Sequence, residues 1–225
     1  MATSKHLVDL SHTIEHGLIT YHGLPAPIIC DYWSREQSKN FYAEGTEFQI
    51  GKIEMVGNTG TYLDTPFHRY ADGKDLSELP LESVAELDGV VIHVIGIRAI
   101  GIETIQKINV KNRAVLFHTD WSLHWNTEEY WSGNHSFLTA EAAKYLVNEG
   151  AALVGIDSYN IDDTADLTRP AHTVLLGAEI PIVEHMCNLD LLPNEGFRFS
   201  AVPVKVKNFG TFPVRAYASC QHQSS

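Results

Sequence analysis

The apolar positions of the chain fall in short runs that predict strands more often than helices. Phe48–Val56 alternates between apolar and polar residues, as a half-buried strand does, and it leads directly to Asn58. Gly89–Ile95 and Ala114–His118 are dense in β-branched and other apolar residues, so each predicts a strand buried in a sheet. His93 lies inside the first of these runs and is expected to be a hydrogen-bonded core histidine.

One segment, Thr139–Gly150, has the period of an amphipathic helix, with three apolar residues on one face. Thr139 is a suitable N-cap, and Gly150 suits the C-terminal stop. Ala151–Ile156 follows as a predicted strand. Strand, helix and strand in succession predict a parallel βαβ crossover, and therefore an α/β layer.

Polar residues follow the end of that last strand, where ligands gather in parallel sheets. They are Asp157, Asn160, Asp162 and Asp163. Residues 31–47 show no period and predict a lid or a subunit contact. Phe197–Ala218 predicts two strands joined by a turn around residues 208–210.

Gly57–His68 concentrates residue types that carry chemistry. Gly57 and Gly60 permit sharp turns and let the backbone approach a ligand closely. Pro66 stiffens the backbone between Asp64 and His68, which bracket it. Together with Tyr62 and Asn58, these side chains could hold a metal ion or move protons. An ordinary turn, in which Asp64 accepts hydrogen bonds from backbone amides, is the structural alternative.

The same segment resembles the signature His-x-Gly-Thr-His-x-Asp-x-Pro-x-His of the putative cyclase family, which includes bacterial kynurenine formamidase and isatin hydrolase. The matching positions are Gly60, Thr61, Asp64, Pro66 and His68. The two remaining histidines of the signature fall on Asn58 and Tyr62, which depart from the pattern. A second departure is Asp120, where the family has a glycine.

The resemblance runs from Leu7 to Ala218 and implies a site. In the family, the two signature histidines and the aspartate hold a divalent metal, and His172 and Glu184 match the residues that complete its ligand set. The implied ligands here are Asp64, His172, Glu184 and Asn58. His68 is the implied proton carrier, with Tyr62 and Asp64 as further catalytic candidates. The loop of residues 21–27 is expected over the site, so that His12 and His22 could approach a ligand.

The family also implies a fold and an assembly. We expect an α/β protein, a compact single domain over residues 1–225, with back-to-back mixed and parallel strands and flanking helices of the swivelling β/β/α kind. Family members form dimers or tetramers, so a homodimer or homotetramer is expected. Trp121, Trp125 and Trp131 are candidates either for subunit contacts or for the pocket lining.

Composition narrows the partners of the protein. The net charge of −12 over 225 residues disfavours nucleic acid and anionic membranes, and favours a small-molecule substrate. The beginning of the chain lacks the features of a signal peptide, and no stretch is long and apolar enough for a membrane span, so a cytoplasmic protein is expected. Three widely spaced cysteines predict free, buried thiols rather than disulfides or a thiolate metal site.

Three functions follow from these residues. The first is a hydrolase of the C–N bond in an aryl formamide or cyclic amide, with a divalent metal and His68 as proton carrier. Because Asn58 and Tyr62 replace nitrogen ligands, an oxygen-rich site would favour manganese, magnesium or iron over zinc. The second is a metal-independent enzyme in which Tyr62, His68 and Asp64 catalyse cyclisation, dehydration or isomerisation. The third is a non-catalytic binding protein of the same fold.

Overall fold

A nine-stranded mixed sheet organises the computed structural model, which describes residues 5–221. Its strands lie in the order β1-β13-β11-β5-β7-β9-β10-β4-β12, and two smaller sheets pair β2 with β3 and β6 with β8. The strands are β1 (Lys5–Asp9), β2 (Ile28–Trp33), β3 (Ile50–Glu54), β4 (Tyr62–Asp64), β5 (Leu87–His93), β6 (Ala99–Ile100), β7 (Arg113–His118), β8 (Phe137–Leu138), β9 (Leu153–Ile156), β10 (Ile182–Glu184), β11 (Glu195–Ser200), β12 (Thr211–Pro213) and β13 (Tyr217–Gln221).

The centre of the large sheet is parallel and both flanks are antiparallel. Strands β5, β7, β9 and β10 run in parallel, whereas β11, β13 and β1 on one side and β4 and β12 on the other pair antiparallel. The predicted crossover is confirmed, because helix α2 (Ala140–Asn148) connects the neighbouring parallel strands β7 and β9. Thr139 caps this helix by accepting a hydrogen bond from the amide of Ala142.

Two further helices complete the α content of the described residues, α1 (Arg35–Ser38) and α3 (Pro170–Gly177). Short 3-10 helices connect other elements at Pro66–His68, Leu81–Ser83, Ile102–Thr104, Trp121–His124, Glu128–Trp131 and Leu189–Leu191. Asp120 adopts the left-handed conformation, with φ of 65°. This backbone conformation explains why glycine suits the position in the family, and aspartate is one of the few other residues that tolerate it.

The large sheet has a hydrophobic core on each face. Val115 and Phe117 of β7 pack with α2 and α3 on one face, whereas Ala114 and Leu116 pack on the other. The second core collects side chains from β1, β4, β11 and β13 as well as from the central strands. A sheet whose two flanks share one core is curled, so the α/β class is confirmed and the strands pack against each other across this core.

Glycine is needed at one central position of the curled sheet. A Cβ atom at Gly155 would lie 2.7 Å from Sδ of Met186 and 2.8 Å from a methyl group of Leu116. The absence of a side chain lets Met186 cross the strand closely and close the second core.

Three predictions from the sequence are wrong. The predicted closing hairpin does not form, because β11 pairs with β5 and β13 while β12 pairs with β4. Val202 and Val204 between them are exposed and lie outside any strand.

The predicted burial of two other side chains is also wrong. His93, predicted to be in the core, is exposed at the end of β5, although both its ring nitrogens have partners. Cys30 is exposed, whereas Cys187 is buried; all three cysteines are free, as predicted.

Residues 28–54 form a separate arm, the β2–β3 hairpin, whose two strands pair antiparallel. Every residue of β3 is exposed. Within residues 5–221, no helix is long and apolar enough to cross a lipid bilayer. The expected domain of residues 1–225 includes four residues at each end that lie outside the described range, and its boundaries stay a prediction.

Candidate active site

The site lies where β4 and β10 run side by side. Their antiparallel register places Tyr62 opposite Glu184 and Asp64 opposite Ile182. The chain then turns at Thr65 into the 3-10 helix that carries His68. This turn is approached closely by Gly210, where a Cβ atom would lie 2.5 Å from the amide nitrogen of His68. Only glycine therefore allows β12 to pack against the signature segment.

A cavity of about 670 Å³ opens onto these residues. Its floor includes buried polar side chains, and its walls come from loops after β1, β3 and β9 and from the start of α3. The lining residues are Tyr21, His22, Gly23, Leu24, Asn58, Tyr62, His68, Arg69, Asn160, Leu167, Thr168, Arg169, His172 and Glu184. The loop of residues 21–24 lines the cavity, as the family resemblance implied.

Thr211 connects His68 to Asp64. Its hydroxyl donates to Oδ1 of Asp64, and Nδ1 of His68 lies 2.8 Å from the same hydroxyl oxygen. Because a hydroxyl has one hydrogen to donate, Nδ1 of His68 must supply the proton of the second bond. The neutral imidazole then carries its lone pair on Nε2. The chain of bonds thus fixes the tautomer that a general base requires.

Asp64 is fully buried and ionised. Burial acts to raise the pKa of its carboxyl, but His68, His172 and Thr211 together hold the pKa below its usual value. Its second oxygen, Oδ2, has no hydrogen-bond partner among the described residues. A buried carboxylate oxygen without a partner carries a large desolvation cost, so it points to a missing cation or donor.

His172 is oriented by Asp162. Its Nδ1 lies 2.6 Å from Oδ2 of Asp162, and because a carboxylate only accepts, Nδ1 is the donor. Asp162 also accepts from the first amides of α3, at Ala171 and His172. The other ring nitrogen, Nε2, therefore points at Asp64 and Glu184, at 3.6 Å from each carboxylate. A histidine with one nitrogen held by a carboxylate and the other facing acidic groups has the arrangement of a metal ligand.

The cluster of Asp64, Asp162, Glu184 and His172 contains more acidic than basic groups. Burial alone would lower the pKa of His172, but Glu184, Asp162 and Asp64 raise it to about 10. Burial raises the pKa of Glu184 to about 7, against the opposing effect of His172. Three carboxyl groups thus surround one imidazole in the protein interior, and a divalent cation would balance them.

Tyr62 supports Glu184. Its hydroxyl donates to Oε2 of Glu184 at 2.7 Å, and the amide of Ile161 donates to Oε1 at 2.6 Å. Burial and the charge of Glu184 raise the pKa of Tyr62 well above 10, so the phenol remains a neutral donor. The hydrogen bond holds Glu184 in place where the family signature has a histidine.

The donor set fits a divalent metal ion. Ligand atoms from Asp64, His68 and His172 all lie within 4.8 Å of one another. Glu184 approaches the same imidazole nitrogen as Asp64, and Asn58 lines the cavity beside them. Carboxylate oxygens and imidazole nitrogens brought together in this way are donors that a divalent metal ion accepts.

The structure brings the predicted site residues together. Asn58, Tyr62, His68, His172 and Glu184 all line the cavity, and Asp64 lies directly beneath them. His12 does not line it and instead stacks on Trp125, with ring centroids 3.9 Å apart. None of the three tryptophans lines this cavity, although Trp131 packs behind His22 at 4.8 Å.

Sequence reasoning missed Thr211 altogether and placed Asp162 only near the site. Thr211 is 147 residues from Asp64 in the chain, and no local pattern connects the two. The spacing of Asp162 and His172, ten residues apart across the start of a helix, was the only available signal. Asp157 was also expected near the ligand, but it is buried and accepts hydrogen bonds from Thr119 and Asp120.

Comparison with known families extends over most of the chain. The model of the family described as "Putative cyclase" matches residues 8–163, which is more than half of the 225 residues and includes the whole signature segment. The chain belongs to this cyclase family. His172 and Glu184 lie beyond the matched range, but the structure places both against the signature residue Asp64.

Proteins named as hydrolases are among those similar to this cyclase-family protein. It is 29% identical to the kynurenine formamidase of Bacillus cytotoxicus, over 93% of this chain and 95% of that one. Its fold is similar to that of isatin hydrolase A from Labrenzia aggregata, solved with benzyl benzoate, with a TM-score of 0.82, 23% identity, and coverage of 97% and 94% of the two chains. A solved structure described as a potential metal-dependent hydrolase with cyclase activity gives a TM-score of 0.79, at 22% identity and coverage of 97% and 100%.

Proposed function

We propose that this protein is a metal-dependent hydrolase of the C–N bond in an aryl formamide or a cyclic amide. One observation carries the proposal. The buried carboxylates of Asp64 and Glu184 lie beside the same cavity as His68, whose Nε2 carries a free lone pair. The kynurenine formamidase and isatin hydrolase relatives support this class of substrate.

Asp64, His172 and Glu184 would hold the metal, with Asn58 as a weaker oxygen ligand. The bound ion would polarise the amide carbonyl and lower the pKa of water. Manganese, zinc and magnesium are the candidates, and the oxygen-rich donor set supports manganese or magnesium.

His68 transfers the proton in this mechanism. Its Nε2 takes a proton from the attacking water as the oxygen–carbon bond forms, and then gives that proton to the leaving nitrogen as the carbon–nitrogen bond breaks. The positive charge that His68 carries between the two steps is stabilised through Thr211 by ionised Asp64. Tyr62 keeps Glu184 oriented, and the surrounding loops exclude bulk water from the floor of the cavity.

The direction of the Tyr62 hydrogen bond counts against the metal-independent alternative. In that alternative Tyr62 would donate to a substrate carbonyl, but its hydroxyl is committed to a buried acceptor, Glu184. Breaking this bond would leave a buried carboxylate oxygen without a donor, at a cost of about 1–3 kcal/mol.

The test combines elemental analysis of the purified protein with turnover of N-formylkynurenine and isatin. We expect about one divalent ion per chain, loss of activity with a chelator, and recovery on addition of manganese or zinc. His68→Ala should lose turnover and keep its metal, whereas His93→Ala, at an exposed histidine outside the cavity, should keep both. Full activity in metal-free protein would overturn the metal-dependent mechanism, and ligand binding without any turnover would support a binding protein instead.

We further propose a homodimer or homotetramer, in which the β2–β3 hairpin packs against a second copy of the chain. A two-stranded hairpin has little stability in water unless another surface covers it. This arm nevertheless exposes large apolar side chains, at Ile28, Tyr32, Phe41, Tyr42, Phe48, Ile50 and Ile53. Both ends of the hairpin continue into residues that line the cavity, which places the contact beside the site.

The oligomer proposal is tested by light scattering coupled to size-exclusion chromatography. A dimer or larger species is expected, and Ile53→Glu should shift it towards the monomer because a charge cannot be buried unpaired at an apolar contact. Leu81→Glu, at an exposed leucine outside the hairpin, is the matched control. A monomeric parent protein would contradict the proposal.

We also propose a cytoplasmic location. Three free thiols, one of them exposed, support a reducing compartment. Cell fractionation of the native host would test the proposal, and recovery in an extracellular fraction would contradict it.

A further inference from the structure

Two arginines line the cavity together with the candidate catalytic groups. Arg69 directly follows His68, and Arg169 directly precedes α3, which carries His172. Each arginine is therefore next in the chain to an element that carries a site histidine, His68 for Arg69 and His172 for Arg169.

These arginines form no ion pair within residues 5–221, although the protein is strongly acidic. Of the seven arginines in the sequence, Arg98, Arg113, Arg198 and Arg215 pair with carboxylates. Among the described residues, the three that form no such pair are Arg35, Arg69 and Arg169, and two of these line one cavity. In a chain with 28 acidic and 16 basic residues, two arginines without ion-pair partners provide positive charge beside the acidic floor of this cavity.

Neighbouring side chains hold both arginines but leave donors free. Nε of Arg69 donates to Oγ1 of Thr173 at 3.3 Å, which leaves both of its terminal nitrogens without a described partner. One terminal nitrogen of Arg169 donates to Oδ1 of Asn160 at 3.4 Å. An arginine presents a fork of five N–H groups, so each can still make the two parallel hydrogen bonds that a carboxylate accepts.

Asp166, whose carboxylate interacts electrostatically with Arg169, already accepts hydrogen bonds from other donors. The carboxylate of Asp166 accepts hydrogen bonds from the amide and the hydroxyl of Thr168, at 2.9 and 2.7 Å. Those bonds, followed by the charge of Arg169, lower the pKa of Asp166. Asp166 does not form an ion pair with Arg169, so the guanidinium remains available to a ligand.

Two leucines also line the cavity. Leu24 and Leu167 line it and are 38% and 88% exposed. An exposed leucine at a cavity mouth gains free energy when a ligand covers it. The opening therefore combines a surface for a carbon framework with two donors for an anion.

We propose that Arg69 and Arg169 bind a carboxylate of the substrate, and that the amide this enzyme hydrolyses carries a carboxylate remote from the scissile bond. The inference rests on the proposed hydrolase function and names its substrate class. Charge recognition by the pair also offsets the repulsion that an anionic substrate meets from a chain of net charge −12.

The test compares 3-formamidobenzoate with its methyl ester, which has the same scissile bond and lacks the charge. The parent enzyme should show a lower KM for the acid than for the ester. Arg169→Gln and Arg69→Gln should each raise KM for the acid about 10-fold or more, because a charge-assisted pair is lost, with little change in kcat or in the kinetics of the ester. Arg169→Lys should restore part of the preference, and Arg198→Gln, at an arginine outside the cavity, should behave as the parent does.

Equilibrium binding separates this proposal from the hydrolase proposal. Calorimetry with 3-aminobenzoate and its methyl ester measures charge recognition without turnover, in the metal-loaded protein. Preference for the acid that disappears in Arg169→Gln supports the carboxylate subsite even if neither formamide is hydrolysed. Equal binding of acid and ester by the parent, or equal loss of both in the variants, would overturn it.

Discussion

The hydroxyl of Tyr62 donates to Oε2 of Glu184 across two antiparallel strands, at 2.7 Å. In the family signature this position is a histidine that ligates the metal. Here the side chain reaches the same carboxylate region as a hydrogen-bond donor. The substitution therefore places a hydrogen-bond donor to Glu184, a proposed ligand, where the signature has a histidine. Asn58 is the other altered position of the signature.

Restoring the signature should tighten zinc binding. In the double variant Asn58→His/Tyr62→His, two imidazole nitrogens replace an amide oxygen and a neutral phenol, so we expect zinc affinity to rise on the order of tenfold or more. Competition with a chelating dye measures the change. Tyr62→Phe is the control, because it removes the hydroxyl and adds no ligand. Unchanged zinc affinity in the double variant would show that these positions lie outside the coordination sphere.

Loss of the His68 imidazole should reduce catalysis without releasing metal. His68→Ala is expected to lower kcat by about 10²–10⁴-fold, the usual contribution of a positioned general base. Thr211→Val should lower kcat by less, because the imidazole remains and only the hydroxyl that links its Nδ1 to Asp64 is lost. Thr211→Ser should retain most activity. Turnover and metal content are measured on the same samples. If the metal is lost from His68→Ala, His68 is a ligand instead.

Asp162 should control metal affinity although it would not coordinate the metal, because it orients the ligand His172. Asp162→Asn weakens the bond that orients His172, and we expect metal affinity to fall about 10–100-fold. Its neighbour provides the control: Asp163→Asn alters a surface carboxylate that pairs with Arg98. Calorimetric titration of chelated protein with manganese measures both. An equal effect of the two variants would contradict the orienting role.

Burial lowers the pKa of His12 to about 4, which predicts a specific pH dependence of stability. In the unfolded chain His12 has its ordinary pKa of 6.5, so the unfolded state binds the additional proton between these values. The contribution of neutral His12 to the free energy of unfolding is therefore complete above pH 6.5. It is lost as the pH falls towards 4.

His12→Phe tests this dependence, because phenylalanine can still stack on Trp125 but does not titrate. The parent should lose more thermal stability than the variant between pH 7.5 and pH 5, as measured by the midpoint of unfolding at each pH. Every other titrating group is common to both proteins, so the difference isolates His12. Parallel curves for the two proteins would contradict the assignment.

The sequence alone predicted the parts of the fold that depend on local patterns. Ala114–His118 became β7, and Thr139–Gly150 contains α2, because apolar runs and helix caps act over a few residues. It also predicted that Asn58, Tyr62 and His68 lie at one cavity, since the spacing from Gly57 to His68 is a continuous motif. The same local reasoning was wrong for the closing hairpin, where strand partners come from distant parts of the chain.

Only the tertiary structure decided how the site residues act. The register of β4 with β10 turned Tyr62 towards Glu184, and the pairing of β12 with β4 brought Thr211 between Asp64 and His68. The start of α3 placed Arg169 at the cavity mouth. By itself, the sequence determined which chemical groups are present and which strands and helices form locally. Long-range strand pairing determined their partners, because hydrogen-bond register and burial depend on residues far apart in the chain.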